Sequence, residues 1–226
     1  MRLAVRPFGV LGSTLTSTGV KKVAAVPAPG LPFVDPAGLP FILKGPRGAG
    51  GASGQIYKWL GIAGDDAFPA PVREAITKPL QAKLHFYGGH ACLHVVGPNF
   101  VGRSDCKRDE ALGELTAAYS AVLHEFARSR LGGLRLLPIS GGIFAGQFAP
   151  ELPSLTSIAL RAAFDGLPER AQHIVSVARL DMCIFLESEY EAYVQAFEEE
   201  TRRHAQFAAG LDMGSTPIQP WQTGRN

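Results

Sequence analysis

The sequence of 226 residues has few cysteines and no long apolar segment. Its three cysteines, Cys92, Cys106 and Cys183, lack metal-motif spacing, which argues against a disulfide framework or structural zinc and fits a reducing compartment. No apolar run approaches the roughly 18 residues of a membrane span. The first residues lack the apolar core of a secretory signal, but leave organelle targeting open. We expect an intracellular protein, cytoplasmic or nuclear unless imported into an organelle, without metal or cofactor.

Acidic residues are scarce at the start of the chain. Residues 1–60 contain seven lysines and arginines and one acidic residue, Asp35, so this part carries about +6 (seven minus one). The whole chain carries only +2. A positive field of this kind favours a phosphorylated ligand, either small or polymeric, such as RNA. A basic surface without any partner explains the same charge.

The rest of the sequence is typical of one folded α/β domain over residues 1–226. Hydrophobic residues make up 46% and charged residues 19%, enough for a sizeable core. Predicted strands are residues 20–26, 91–96, 134–139, 173–177 and 182–186, and predicted helices start at Ser53, Asp109, Ser154 and Ser188. Residues 27–51 are rich in Pro and Gly and are expected to form a loop, and residues 210–226 a loose tail. The alternation of predicted strands and helices along the chain predicts a largely parallel central sheet.

Two glycine-rich loops are the candidate binding elements. The first, residues 48–54, leads into a predicted helix, whose amino terminus offers free N–H groups and a partial positive charge. The second, residues 140–146, follows a predicted buried strand. Ligands in open α/β sheets bind beyond the carboxyl ends of strands. The two loops are therefore expected to hold one diphosphate from both sides, although either can equally be a plain turn.

Neither loop has the pattern of a common nucleotide-binding motif. No Gly-Lys-Ser/Thr follows either loop, so a Walker motif is absent. The first loop follows a Pro-rich stretch instead of a strand, which does not fit a Rossmann fingerprint.

Four segments nevertheless occur in a recognisable order. They are residues 49–61 (AGGASGQIYKWLG), 93–100 (LHVVGPNF), 138–146 (PISGGIFAG) and 183–187 (CIFLE). They resemble the glycine loop with its helix, the strand ending in Val-Gly-Pro, the second phosphate loop and the last strand of the macro domain family. Members of this family bind ADP-ribose, and some hydrolyse its linkages. The resemblance covers residues 20–197 and implies a three-layer α/β/α fold with a mixed, largely parallel sheet.

The resemblance also implies a set of ligand-binding residues. The first loop would bind the diphosphate and distal ribose through its amides, the second would close the other side, and an aromatic side chain would stack on adenine. The residues are Gly50, Gly51, Ala52, Ser53, Gly54 and Ile56 in the first loop, Ser140, Gly141, Gly142, Ile143 and Phe144 in the second, and Phe185. From the residues alone, Phe185 also fits a core aromatic on a buried strand.

Three family features are missing. Macro domains usually carry Asn-Ala-Ala-Asn after the second strand, but residues 27–30, which follow the predicted strand 20–26, are Pro-Ala-Pro-Gly. The interval to the first glycine loop is about a dozen residues longer than usual, so residues 27–48 are taken as an insertion loop. No acidic residue precedes Asp35 to accept from the adenine amino group, and Ser53 stands where hydrolases often have Asp. Each lost hydrogen bond costs about 1–3 kcal/mol in affinity.

Two other side chains have both a structural and a functional interpretation. His94 lies on a predicted strand and is expected to be a satisfied structural histidine. Asp35 lies in the predicted loop 27–51 and is expected to be a surface residue, although a replacement acid/base or ribose contact is conceivable. No catalytic residue is therefore assigned.

The sequence supports one leading function and two alternatives. The leading one is a divergent macro domain that binds ADP-ribose, free or attached to a protein, or a related nucleotide diphosphate. The second is hydrolysis of an ADP-ribosyl ester or of ADP-ribose phosphate by a positioned water. The third is a degenerate macro fold that serves as a structural module or contacts RNA through the basic residues of segment 1–60. No membrane partner is expected.

Overall fold

The structure, a computed structural model, describes residues 1–212, with side chains through residue 206. The strands are β1 (Arg2–Arg6), β2 (Ser13–Thr16), β3 (Gly19–Lys22), β4 (Phe33–Asp35), β5 (Ala82–Tyr87), β6 (His90–Val95), β7 (Gly133–Leu136) and β8 (Arg179–Cys183). The helices are α1 (Leu39–Lys44), α2 (Gly51–Leu60), α3 (Ala70–Ala75), α4 (Arg108–Ser129), α5 (Leu152–Asp165), α6 (Glu169–Val177) and α7 (Glu187–Asp212). A 3₁₀ segment, Gly142–Glu151, precedes α5. The predicted tail lies outside the described residues after Asp212.

Six strands form one mixed sheet in the order β1-β8-β7-β4-β6-β5. The first five are parallel, and β5 pairs antiparallel with β6. The predicted mixed, largely parallel sheet is thus confirmed. Because parallel strands end at the same edge, the loops after β4, β6, β7 and β8 all start from one side of the sheet. The other two strands, β2 and β3, form a separate antiparallel hairpin.

The two faces of the sheet differ in polarity. Side chains alternate along each strand, so residues aligned across the sheet share a face. One face is apolar and includes the aligned trio Val5, Met182 and Leu136. On this side α4 packs on β5 and β6, α7 packs on β1, and α5 contacts both helices. The opposite face carries Asp35 and His94, which are also aligned, and is covered by α2. The predicted three-layer α/β/α arrangement is confirmed.

The amino-terminal part differs from the prediction. Residues 20–26 do not form a strand of the sheet, because β3 is the outer strand of the hairpin and ends at Lys22. Two of the valines that suggested this strand are exposed, Val20 by 64% and Val23 by 53%. The strand of the central sheet is β4, whose residues Phe33 and Val34 are fully buried.

Residues 27–51 are also not simply a loop. They contain β4 and α1, and α2 begins at Gly51, so the segment 27–48 that was expected to be an insertion loop contributes a central strand and a helix. Pro36 and Pro40 misled the prediction, since Pro40 lies in the first turn of α1, where its missing N–H costs nothing.

Residues 173–177 form the end of α6 and not a strand. Pro168 is the N-cap, Glu169 lies in the first turn, and Ala171, Ile174 and Val175 recur at helical spacing against the core. The β-branched residues in this segment favour a strand, but the packing of this helical face against the core outweighs that preference. The predicted strands at 91–96, 134–139 and 182–186 correspond to β6, β7 and β8, and the helix predicted from Asp109 corresponds to α4. Within residues 1–212, none of the helices has the length and hydropathy that crossing a bilayer requires.

Gly113 provides a test of the assignment of helix α4. It is exposed in the interior of α4, and a Cβ added there meets no atom within 4 Å. We expect Gly113→Ala to raise the free energy of unfolding by about 0.5–1 kcal/mol, because alanine loses less backbone entropy in a helix. Urea unfolding followed by circular dichroism measures this. A destabilised variant would contradict the assignment of residue 113 to an exposed helical position.

Candidate functional site

The candidate site lies at the carboxyl edge of the parallel strands. The first glycine loop follows β4 through α1, and the second follows β7, which is the direct neighbour of β4. The chain after β8 carries Phe185 at the same edge. Adjacent strands are about 4.8 Å apart, so the chain segments that lead to the two glycine loops leave the sheet side by side. Such an edge is where open α/β sheets bind their ligands.

The first glycine loop presents backbone at the start of α2. Gly50 is the N-cap and Gly51 has φ +58°, a conformation that favours glycine. Gly50, Gly51 and Ala52 are exposed, and Cβ atoms built at the two glycines meet nothing within 4 Å. The first N–H groups of an α-helix have no partner within the helix. The loop therefore offers open amides to an anion.

Three other predicted residues of this loop point into the protein. The hydroxyl of Ser53 donates to the carbonyl of Pro36 over 3.3 Å and ties α2 to the end of β4. A Cβ at Gly54 would lie 2.3 Å from the carbonyl oxygen of Ala49, so only glycine fits there. Ile56 is 1% exposed and belongs to the core. These residues support the loop, whereas its exposed glycines are free to contact a ligand.

The second glycine loop is strained and anchored. Ser140 has φ +62°, and its buried hydroxyl donates to the carbonyl of Pro98 over 2.5 Å. Further along, the N–H of Phe100 donates to the carbonyl of Phe144 over 3.0 Å. Both contacts join this loop to the chain after β6. A non-glycine residue at positive φ is uncommon and persists only where the surroundings hold it.

The exposed part of the second loop is its tip. Gly142 has φ +61° and is open on its Cβ side, and the Ile143 side chain is 81% exposed. Gly142 begins a short 3₁₀ turn that ends at the non-helical Gly146, so the amides at this tip form a second helix-type terminus of about one turn. Gly141 and Phe144 are half-buried beside it.

Phe185 is an accessible aromatic side chain at this edge. It is 42% exposed, so the interpretation as a fully buried core aromatic is wrong. Its carbonyl accepts hydrogen bonds from the N–H of Leu15 at 2.8 Å and the hydroxyl of Thr14 at 3.0 Å. A Cβ at Gly9 would lie 3.2 Å from the ring. The hairpin β2–β3 and the turn after β1 therefore fix the position of this aromatic.

A buried polar cluster lies beneath the first loop, and its extent was missed by the sequence analysis. The Asp35 Oδ2 atom accepts from the Tyr57 hydroxyl at 2.8 Å and lies 2.7 Å from the Nδ1 atom of His94. The Nε2 atom of His94 lies 2.9 Å from the Tyr87 hydroxyl. Burial and the Asp35 charge raise the pKa of Tyr57, and burial raises that of Tyr87. We call Asp35, Tyr57, His94 and Tyr87 the polar cluster.

The geometry of the polar cluster decides between the structural and functional interpretations of Asp35 and His94. Asp35 is fully buried at the end of β4, so the expectation of a surface residue is wrong, and the misplaced strand was the cause. His94 is fully buried with both ring nitrogens partnered, which confirms a satisfied structural histidine. With both tyrosines as donors, the consistent neutral tautomer has Nδ1–H donating to Asp35. For His94, the alternation with the buried residues Leu93 and Val95 was the available sequence signal, whereas the three residues of β4 are too few to give one for Asp35.

The same region contains three groups that could hold a metal ion. Ligand atoms of Asp35, Cys92 and His94 lie within 4.8 Å of one another. A cation would have to break the bond between His94 Nδ1 and Asp35. Burial and the Asp35 charge raise the pKa of the Cys92 thiol well above its usual range, which disfavours the thiolate that a metal needs. Hydrogen bonding therefore explains this cluster better than metal binding.

Two cavities lie away from the glycine loops. One of about 550 Å³ is bordered by Leu3 and Val5 of β1 and by Tyr190 and Phe197 of α7. The other, of about 290 Å³, lies beside β1 and the start of β8. Neither is lined by residues of the glycine loops or by Phe185. The candidate site is defined by exposed loop backbone and by the accessible aromatic side chain of Phe185.

The architecture is similar to several solved structures. An alphavirus P23pro-zbd structure matches with a TM-score of 0.59 and 18% identity over 88% of this chain, which spans 24% of that longer chain. An Oceanobacillus iheyensis macrodomain with ADP matches with a TM-score of 0.56 and 15% identity, over 89% of this chain and 92% of the other. The chain has the macrodomain fold. No family model and no curated protein matches it in sequence.

A second macrodomain structure gives the same result. The Trypanosoma brucei macrodomain in complex with ADP matches with a TM-score of 0.51 and 17% identity, over 86% of this chain and 68% of the other. Identities this low show a shared fold, and the role of each residue must come from its own geometry. In this chain, residues 36–47 connect the central strand β4, which ends at Asp35, to the first glycine loop.

Ser140 allows the strain in the second loop to be measured. Both Ser140→Ala and Ser140→Gly remove the hydroxyl that bonds Pro98, but only alanine keeps a Cβ at positive φ. We expect Ser140→Gly to be more stable than Ser140→Ala by about 1 kcal/mol, because glycine adopts this conformation freely. Chemical denaturation of the two variants gives the difference. Equal stabilities would contradict a left-handed residue at this position.

Proposed function

We propose that this protein binds ADP-ribose, or a related nucleotide diphosphate, through the amides of its two glycine loops. The observation that carries the proposal is that two open helix-type termini follow adjacent parallel strands, β4 and β7. Helix N-termini are favourable sites for phosphate groups. Two such termini can stabilise the two phosphates of one ligand without any charged side chain. The macrodomain fold and the ADP complexes of its structural neighbours support this ligand class.

Each residue of the predicted ligand-binding set has a proposed role. Gly50, Gly51 and Ala52 bind the diphosphate from the side of α2, and Gly142 and Ile143 bind it from the other side. Ser53, Gly54, Ile56, Ser140 and Gly141 keep the loops in place through the contacts described above. Phe144 borders the distal ribose, and Phe185 stacks on adenine. Aromatic stacking on a base contributes about 1–3 kcal/mol.

Binding is a better proposal than hydrolysis for these residues. A general base must reach the reacting group. The Ser53 hydroxyl is bonded to Pro36, and the Asp35 carboxylate is buried beneath Tyr57 and His94. RNA binding through the basic amino-terminal residues has weaker support, because Arg6 pairs with Asp181 and Arg47 with Asp66. Hydrolysis and RNA binding remain outcomes that the experiments can reveal.

Calorimetric titration of the full chain tests the proposal. We expect a dissociation constant for ADP-ribose below about 100 μM, or about −5.5 kcal/mol, with weaker binding of ADP, which lacks the distal ribose. A short RNA completes the titrations, and chromatography after incubation with ADP-ribose phosphate, which hydrolysis would convert to ADP-ribose and phosphate, completes the set. Binding of RNA without binding of ADP-ribose would overturn the proposal, and a product in the chromatogram would establish hydrolysis.

Gly51→Glu tests the first loop directly. A carboxylate at the start of α2 would lie against the diphosphate, so we expect the affinity for ADP-ribose to fall at least about 100-fold by charge repulsion. Gly51→Ala is the matched control, because it brings the same positive-φ strain without charge into open space. The alanine variant should bind within a few-fold of the wild type. Equal affinities of the glutamate and alanine variants would show that the loop is not the site.

Phe185→Ala tests the adenine contact. We expect the dissociation constant for ADP-ribose to rise about 5- to 150-fold, as expected for loss of one stacking interaction. Inorganic pyrophosphate, which has no base, should bind the variant and the wild type equally. A parallel loss of pyrophosphate binding would instead indicate that the substitution disturbs the loops.

A further inference from the structure

The polar cluster is connected to the proposed ligand site by α2. Tyr57 and Ser53 are four residues apart and therefore lie on the same side of the helix. Both bond to the end of β4, Tyr57 to the carboxylate of Asp35 and Ser53 to the carbonyl of Pro36. The two contacts lie one turn apart along α2. They therefore define both the position and the direction of the helix whose first amides face solvent.

Stability alone does not account for the cluster. A buried carboxylate is costly to desolvate, and well-packed apolar residues often stabilise a protein as much or more. Here the second oxygen of Asp35, Oδ1, is buried without a hydrogen-bond partner. Hydrogen bonds, unlike apolar contacts, restrict distance and angle closely. The cluster therefore suits a part of the protein that must hold one exact geometry.

The surroundings keep the cluster fixed. Phe68 packs edge-on against Tyr57 and His94, with ring centroids 5.3 and 5.1 Å apart. The residue pair Asp35 and His94 is aligned on adjacent strands, so its geometry follows from the sheet itself. Tyr57 is then the member that transfers this geometry to α2. Its fully buried ring leaves little freedom for a second orientation.

We propose that Asp35, His94 and Tyr57 are positioning residues that fix the amino terminus of α2 for the diphosphate. This inference rests on the proposed function. The residues do not touch the ligand, and they act by limiting the displacement of Gly50, Gly51 and Ala52. Preorganised donors bind an anion more tightly because less freedom is lost on binding. Affinity for the diphosphate thus depends on a hydrogen bond buried beneath the loop.

Tyr57→Phe tests this inference, with Tyr193→Phe as the matched control. Tyr193 is an equally buried tyrosine on α7, which packs on β1 and against the opposite, apolar face. We expect Tyr57→Phe to raise the dissociation constants of ADP-ribose and of pyrophosphate about tenfold, which corresponds to about 1.4 kcal/mol. Tyr193→Phe should leave both constants unchanged even where it lowers the melting temperature. Measurements are made well below both melting temperatures, so that a purely structural role would not alter affinity.

Hydrogen exchange separates the two proposals. The amide of Gly54 makes the first hydrogen bond of α2, to the carbonyl of Gly50 at 3.0 Å. In the free protein, Tyr57→Phe should reduce the protection of this amide, and Tyr193→Phe should not. If the wild type binds neither ADP-ribose nor pyrophosphate, the proposed function fails while this measurement still reports on α2. Unchanged affinity and unchanged protection in a folded Tyr57→Phe would overturn the inference.

Tyr87→Phe is the milder second variant. It removes only the hydroxyl that contacts the Nε2 atom of His94, and Tyr87 is half-buried, so we expect it to fold. It should change the same two dissociation constants in the same direction, by less than Tyr57→Phe. Should Tyr57→Phe not fold, unchanged affinity in Tyr87→Phe would count against the inference.

Discussion

The pairing of β4 between β7 and β6 is the constraint on which the candidate site depends. β4 has only three residues, and its register with β7 is one pair, Phe33 with Arg135. This short strand lies beside β7, so the chain that leads to the first glycine loop leaves the sheet next to the strand that precedes the second. Complete burial of Phe33 and Val34, one on each face, holds it in place. Burial of such side chains contributes about 1.5–3 kcal/mol each.

The polar face of the sheet follows from the same strand. Ending β4 with a carboxylate requires donors on the neighbouring elements, and His94 of β6 and Tyr57 of α2 supply them. Arg135 on the next strand is similarly buried, and it donates to the carbonyls of Val10 and Ala25. These bonds fasten the chain around the hairpin to the sheet, close to the segment that holds Phe185. Buried polar groups thus fix both α2, which starts at the first glycine loop, and the chain beside Phe185.

The sequence predicted helix α4 and strands β6 and β7 well, but it predicted the amino-terminal third of the chain poorly. The apolar spacing of α4 and the high apolar content of β6 and β7 make these elements recognisable in the sequence, because burial imposes those patterns. β4 is too short to show any period and is flanked by prolines, whereas the exposed valines of the hairpin imitate a buried strand. Placing the strand too early hid the significance of Asp35. The polar cluster is formed by long-range contacts, which no local pattern reveals.

A site formed mainly from backbone explains how the fold can persist at 15–18% identity to its structural neighbours. Main-chain amides are present whatever the side chains, provided that the loops keep their conformation. The residues under constraint are then glycines such as Gly51 and Gly142, which permit positive φ, and the buried groups that hold the loops. Side chains that would contact ribose or adenine are free to change with the ligand. A ligand site of this kind depends on loop geometry more than on side-chain chemistry, because its donors are main-chain amides.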